Sequence, residues 1–181
     1  ILSAMQFDLL AHRTIADKKL DLMLKSEHID EIGIALDVLS EEEASSTSAA
    51  EKAIYFLSHD STLVKRAAAR CIARLATKEL SRHAPRLIEE LEASRDHLFR
   101  TSLIAAIGKV ADSTNIKEIL LASLHLRPNE RRSIEAILVK MGLKIVPLLI
   151  ALTKDIALPE RARILAGKIL GRLALPQLQA N

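Results

Sequence analysis

The stretch that decides the fold reads Leu63-Val-Lys-Arg-Ala-Ala-Ala-Arg-Cys-Ile-Ala-Arg-Leu-Ala76. Apolar side chains recur along it at spacings of 4, 3, 1 and 3, which places them on one face of an α-helix. They are Val64, Ala68, Cys71, Ile72 and Leu75. The pattern therefore predicts an amphipathic helix whose apolar face packs in a core.

The same pattern returns three times further along the chain. The copies span residues 98–111, 129–142 and 161–174, and each closes with an apolar, a small or apolar, a basic and an apolar residue, then Ala or Gly. Their last residues follow Ala76 at successive intervals of 35, 31 and 32 residues, and a fainter copy ends at Ser40. Repetition at this period is typical of helical-repeat proteins, whose units stack to complete one core. We therefore expect the later copies to bury Ile107, Val110, Ile137, Met141, Leu170 and Leu173 between repeats.

A second apolar helix is predicted before each copy. Arg82–Leu91 aligns with Lys144–Leu152, and their prolines, Pro85 and Pro147, lie two periods of 31 residues apart. Proline is tolerated in the first turn of a helix because the N–H there has no intrahelical partner. The predicted pairs are 50–59 with 62–76, 81–93 with 95–111, 114–126 with 129–141, and 143–154 with 159–174.

The composition of the 181-residue chain favours an all-α fold of about ten helices and no sheet. Gly and Pro number five each, and aromatic residues make up 2% of the chain, against 49% apolar and 27% charged residues. These values exclude collagen-like, disulfide-stapled and prion-like classes.

The repeated residues resemble the HEAT-repeat family and the HEAT-like repeats related to it. Asp60 to Leu75 follows the family pattern of an Asp, a hydrophobic–basic pair and two alanines, and residues 163–173 match the second half of that pattern. The resemblance implies an α–α superhelix, a solenoid of four clear repeats and one degenerate N-terminal repeat over residues 16–181. An N-terminal helix at 1–15 would lie outside the repeats, and 43–49 would form an exposed loop.

Two columns of basic side chains recur ten places and one place before the last apolar residue of each copy. The first ladder is Lys65, Arg100, Arg131 and Arg163, and the second is Arg74, Lys109, Lys140 and Arg172. At 100° per residue both ladders flank the core, where their stems could cover neighbouring repeats or their heads could join a binding surface. The resemblance implies that the first ladder pairs with acids, for which Asp60 and Asp96 are near candidates.

The outward face of the same helices carries the candidate binding surface. By the resemblance, the second helix of each pair lines the concave side of the solenoid. Four basic residues point away from the predicted core, and the second repeat has Thr101 and Ala105 at the corresponding places. The four are Arg66, Arg70, Arg132 and Lys168.

Charge is distributed unevenly along the chain, although the net charge is only +3. Residues 1–60 carry 5 basic and 12 acidic side chains, whereas residues 61–181 carry 21 basic and 11 acidic ones. Such asymmetry marks either a surface for an anionic partner or two regions that partly neutralise each other.

No signature of an enzyme, a cofactor or a metal site occurs in the sequence. The glycine-rich phosphate loops, G-x-S-x-G and H-E-x-x-H are absent, and no two of the six histidines lie three or four residues apart. We therefore expect a protein that is not an enzyme and that uses neither cofactor nor metal. The single cysteine, Cys71, is expected to be a buried, inert thiol.

One cysteine permits no intramolecular disulfide, which suits a reducing, cytoplasmic location. No segment approaches the ~20 apolar residues of a membrane span. Because the first residue is Ile rather than Met, we interpret the chain as a piece of a longer protein, and a membrane-anchored parent remains open.

The leading functional hypothesis is a non-catalytic scaffold that binds another protein or a neighbouring domain of its parent chain. A second hypothesis is an anionic ligand or nucleic acid bound through the basic concave face. Base recognition is disfavoured, because Phe99 is the one aromatic residue in 61–181 and lies at a core position. A third is an appendage of a bacterial membrane transporter, similar to nucleotide transporters, or of a signalling protein. The oligomeric state is left open.

Overall fold

The computed structural model describes residues 17–41 and 47–178, with side chains described as far as residue 174. These residues form ten α-helices and no β-strand. The helices are α1 (17–24), α2 (Ile29–Glu41), α3 (Thr47–Tyr55), α4 (Thr62–Leu75), α5 (Ala84–Ala93), α6 (His97–Val110), α7 (Ile116–Ser123), α8 (Pro128–Lys140), α9 (Val146–Lys154) and α10 (Glu160–Leu178). The helix predicted at 1–15 lies outside the described residues.

The prediction of an all-helical chain with about ten helices is confirmed. The predicted partners also contact each other, α3 with α4, α5 with α6, α7 with α8 and α9 with α10. The first helices of the later pairs begin two to three residues after the predicted starts, because short 3₁₀ turns precede them. Pro85 and Pro147 both lie in the first turn of their helices, as expected.

The described residues up to Leu75 form one compact unit, the unit of residues 1–75, in which α2 and α3 both pack against α4. Alanine is frequent in its core, where Ala35, Ala50 and Ala68 are fully buried. Small side chains let the helix backbones approach closely. Two exposed ion pairs join its helices: Lys52 Nζ lies 2.7 Å from Asp21 Oδ1, and Arg70 Nη2 lies 2.7 Å from Asp37 Oδ1.

The loop predicted at 43–49 is shorter than expected at its C-terminal end. Helix α3 begins at Thr47, and Ala49 is already buried, because the alanines of α3 pack on α4. Residues 43–46 lie outside the described part of the chain.

Residues 76–181 form a second compact unit, which contains α5 to α10. Besides the three pairs, α5 contacts α7, α6 contacts α8, and α8 contacts α10. The second helices α6, α8 and α10 therefore meet in sequence, and α7 contacts both α5 and α10. Helix α8 lies between α6 and α10, and this arrangement positions the charged groups described below.

The predicted core face is correct in α4 and α6 and partly wrong in α8 and α10. Ile137, Met141 and Leu170 are only half-buried. Helix α8 instead buries Ile134 and Leu138, because Ile137 is directed at α6, where a Cβ on Gly108 would lie 3.1 Å from its side chain. On α10, Leu170 is incompletely covered, whereas Ile169 and Leu173 are buried.

Candidate binding site

Helix α8 carries two buried carboxylates at positions where the other second helices are apolar or small. Glu130 and Glu135 are 4% and 3% exposed. The residues aligned with Glu130 are Val64, Phe99 and Ala162, and those aligned with Glu135 are Ala69, Ile104 and Gly167. A buried carboxylate is costly without hydrogen bonds or a cationic partner, so the contacts of these two residues decide their roles.

Glu130 ties the N-terminus of α8 to α6. Its Oε2 lies 2.7 Å from Arg100 Nη2 and accepts the Arg127 backbone N–H at 2.9 Å, while its Oε1 lies 3.2 Å from His97 Nδ1. Burial acts to raise the pKa of Glu130, but the bonds from Arg127 and His97, together with the charge of Arg100, outweigh it and lower the pKa. The carboxylate is therefore held in its charged form.

Glu135 faces the opposite neighbour, α10. Its Oε1 accepts a hydrogen bond from Lys168 Nζ at 2.8 Å, and its Oε2 one from Arg172 Nη1 at 3.3 Å. The side chains of Lys168 and Arg172 are 56% and 45% exposed. Glu135 therefore holds two solvent-facing cations in place.

A groove of about 430 Å³ runs between α8 and α10. Among the described lining residues, the cations are Arg131, Arg132, Arg161 and Lys168, and Glu135 is the one carboxylate. Among its apolar residues, Ile164 is 62% exposed. The groove thus combines an exposed apolar side chain with several cations, which suits a ligand that is both acidic and apolar.

Arg131 is committed to the structure rather than to a ligand. Its guanidinium donates to the backbone carbonyls of Ser123, Leu124 and Leu126, at 3.1 to 3.2 Å. Ser123 is the last residue of α7, where helix carbonyls lack intrahelical partners, and Leu124 and Leu126 lie in the turn that follows. Arg131 therefore caps α7, and Arg132 and Arg161 are the exposed guanidiniums of the groove.

The first basic ladder serves structural purposes at two of its positions. Arg100 is buried against Glu130, and Arg131 caps α7. Lys65 and Arg163 are half-buried. The acid paired with Arg100 is Glu130 of the next second helix, while Asp96 accepts the Phe99 N–H and caps α6.

The second ladder is exposed at every position. Arg172 pairs with Glu135. Lys109 and Lys140 line a separate cavity between α6 and α8, and Arg74 belongs to the other unit. This ladder contributes charge to the surface rather than to the core.

The four residues of the predicted binding surface fall into two pairs. Arg132 and Lys168 line the same groove in the unit of residues 76–181. Arg66 and Arg70 belong to the unit of residues 1–75, where Arg66 is half-buried and Arg70 pairs with Asp37. The structure therefore brings two of the four together in one site.

Sequence reasoning missed several residues of the charged surface. Arg161 aligns with Leu63, Leu98 and Asn129, so a search for columns that are basic in every repeat passes over it. Lys78 and Lys144 lie outside the second helices altogether. The sequence could have predicted the roles of Glu130 and Glu135, because both align with apolar or small residues in the other copies and a buried acid needs a cationic partner.

No protein-family model matches the chain, and no curated protein matches it. In the part of the chain that the structure describes, no group of three or more His, Cys, Asp or Glu side chains could hold a metal ion. Over the same residues no single helix has the length and apolar character of a membrane span. Only α8 together with 142–154 passes that test, as a pair bent by 102°.

Proposed function

We propose that the chain is a non-catalytic HEAT-like module of stacked helix pairs whose function is to bind another protein. The 31- to 35-residue period supports this class, as do the contacts of α5 with α7, of α6 with α8 and of α8 with α10. The buried state of Cys71 agrees with a module that works in a reducing, cytoplasmic environment.

The groove between α8 and α10 is the docking surface in this proposal. Its occupant is an acidic segment of another protein that carries an apolar side chain among its carboxylates. The observation that carries this choice is the placement of Arg132, Arg161 and Lys168 around the exposed Ile164.

Charge complementarity explains why an acidic segment is favoured over a basic or neutral one. A guanidinium offers a planar fork of donors that matches a carboxylate with two parallel hydrogen bonds. Arg132 and Arg161 supply two such forks, and Glu135 neutralises part of the charge of Lys168. Ile164 supplies the apolar contact that distinguishes a peptide from a simple polyanion.

The test is a fluorescence-anisotropy titration with a labelled acidic peptide that has a central Leu between Glu residues. We expect the double variant Arg132→Gln with Arg161→Gln to weaken binding by at least about tenfold, because two charge-assisted contacts are lost. Ile164→Ala should weaken it by a smaller factor, and a peptide with Gln in place of Glu should not bind.

The matched control removes two positive charges from the same unit but outside the groove, as Lys140→Gln with Lys144→Gln. We expect this variant to bind the peptide as the wild type does. Equal weakening in both double variants would show that net charge alone attracts the peptide. That result, or the absence of binding to the wild type, would contradict the docking proposal.

A further inference from the structure

Four lysines line a second cavity of about 340 Å³, at the C-terminal ends of α6 and α8. They are Lys78, Lys109, Lys140 and Lys144, and no carboxylate is among the described lining residues. The apolar part of the lining consists of Ala105, Gly108, Ile137 and Met141. We call this cavity the lysine groove.

The fold fixes the lysine groove from four different places. Lys109 and Lys140 lie in the last turns of α6 and α8. Lys78 begins the 3₁₀ turn before α5 and donates a hydrogen bond to the Ala111 carbonyl, and Lys144 lies in the 3₁₀ turn after α8. Because the chain assembles these ammonium groups from separate elements, their proximity is a property of the fold rather than of a local run of lysines.

The charges in and beside the lysine groove shift the pKa values of Lys78 and Asp112. Burial, and next the charge of Lys144, lower the pKa of Lys78. The nearby acid is Asp112, whose carboxylate accepts hydrogen bonds from the backbone N–H and the hydroxyl of Thr114. Those bonds, and then the charges of Lys78 and Lys144, lower the pKa of Asp112. The charge of Lys144 thus opposes that of Lys78, Asp112 offsets part of this effect, and an anion bound beside the two lysines relieves the rest.

We propose that the lysine groove binds a small anion with two or more linked phosphoryl groups. Lysine ammonium groups are compact charges with three donors each, and they bind phosphoryl oxygens from several directions. A cavity of about 340 Å³ suits a small ligand. No aromatic side chain on which a base could stack is among the described lining residues, so the phosphoryl groups themselves are what the site recognises. The site is distinct from the groove between α8 and α10.

The direct test is isothermal titration calorimetry of the full chain with sodium tripolyphosphate. Citrate serves as a carboxylate polyanion, and a short DNA duplex as a nucleic-acid probe. We expect saturable binding of tripolyphosphate that weakens as salt is raised, because free ions screen the lysines. Citrate and duplex DNA should bind at least about tenfold more weakly.

Variants locate the binding. Lys140→Gln with Lys144→Gln should reduce tripolyphosphate affinity by at least about tenfold, while the charge-conserving Lys140→Arg with Lys144→Arg should retain most of it. Arg132→Gln with Arg161→Gln, which removes the same charge from the other groove, should leave it unchanged. If the double Gln variant does not melt cooperatively, Lys144→Gln alone should give a loss of several-fold.

Three outcomes would overturn the proposal. The first is no binding of tripolyphosphate by the wild type, and the second is an equal loss in the two double Gln variants. The third is citrate or duplex DNA binding as tightly as tripolyphosphate. Because the peptide test uses the same two variants with the opposite expectation, failure of one proposal leaves the other separately testable.

Discussion

The two faces of α8 each bury a carboxylate that pairs with cationic side chains, but the cation on one face is buried and those on the other are exposed. On the α6 side, the carboxylate of Glu130 meets Arg100, whose side chain is only 11% exposed. On the α10 side, Glu135 meets Lys168 and Arg172, whose side chains are about half exposed to water. The acids are alike and lie on one helix, but the burial of their partners differs. The α6 side is therefore a fixed structural contact, whereas the α10 side is a surface whose cations can turn to a ligand.

The glycines of α6 and α10 also differ in the space available around them. A Cβ on Gly108 of α6 would lie 3.1 Å from two side-chain atoms of Ile137 on α8. On α10, a Cβ on Gly167 would meet only Thr153 of α9, at 3.9 Å, and one on Gly171 would meet no described atom within 4 Å. Of these three glycines, Gly108 on α6 is the one whose added Cβ would press on α8.

The largest expected effect comes from breaking the buried pair. Glu130→Gln leaves the Arg100 guanidinium buried without a counter-charge, and removing one partner of a buried pair typically costs about 3–5 kcal/mol. We expect a decrease of that size in the free energy of unfolding, measured by urea denaturation at neutral pH. A loss below ~1 kcal/mol would mean that Arg100 reaches water when Glu130 is neutral, and the contrast between the two faces would disappear.

The change of stability with pH is a second test of the Glu130 contact, made with the same Glu130→Gln variant. Because folding lowers the pKa of Glu130 from its ordinary value of 4.5, its contribution is fully present above that value. It is lost as the pH falls through the lower, folded value. The wild type should therefore lose more stability on acidification than Glu130→Gln. The variant should keep some acid sensitivity, since folding also lowers the pKa values of Asp21 and Asp112.

A smaller effect is expected on the other face. Glu135→Gln removes a buried charge, but Lys168 and Arg172 can be solvated at once, so the loss should be about 1 kcal/mol or less. The same urea experiment measures it. Because the variant makes the groove more positive, acidic-peptide affinity should hold or rise. A loss as large as that of Glu130→Gln would show that the α10 face is equally fixed.

The helices and their pairing were largely predictable because the spacing of apolar residues recurs in each copy of the repeat. Leu75, Val110 and Leu173, which close three of the four copies, are buried, and Pro85 and Pro147 lie where their helices begin. Burial of Ile137 was predicted wrongly because periodicity defines a face only to within about one residue. How two helices cross decides which side chains are buried in the core and which lie against the neighbouring helix. The apolar spacing along one helix does not define that crossing.

The candidate site was only half predictable, for a different reason. Arg132 and Lys168 were found because they lie on the outward face of the predicted second helices, whereas Arg161 aligns with Leu63, Leu98 and Asn129, and Lys144 lies outside these helices. A groove forms between two helices, so its lining depends on the contact of α8 with α10, or of α6 with α8. Recurrence along the chain selects residues that matter to the repeat. Residues that serve one groove alone carry no such signal.

The smallest expected effect, and the finest test of the contrast, is a pair of Gly→Ala variants. Replacing a helical Gly with Ala gains about 1 kcal/mol of helix propensity where the new methyl group fits. Gly167→Ala should gain most of this, because its Cβ would make only an ordinary contact with Thr153. Gly108→Ala must displace Ile137, including Cγ1 close to the backbone, so it should be no more stable than the wild type. Thermal denaturation of both variants measures the difference in stability. Equal stabilisation by the two would show that the Ile137 side chain on α8 moves away from a new methyl group on α6 without cost.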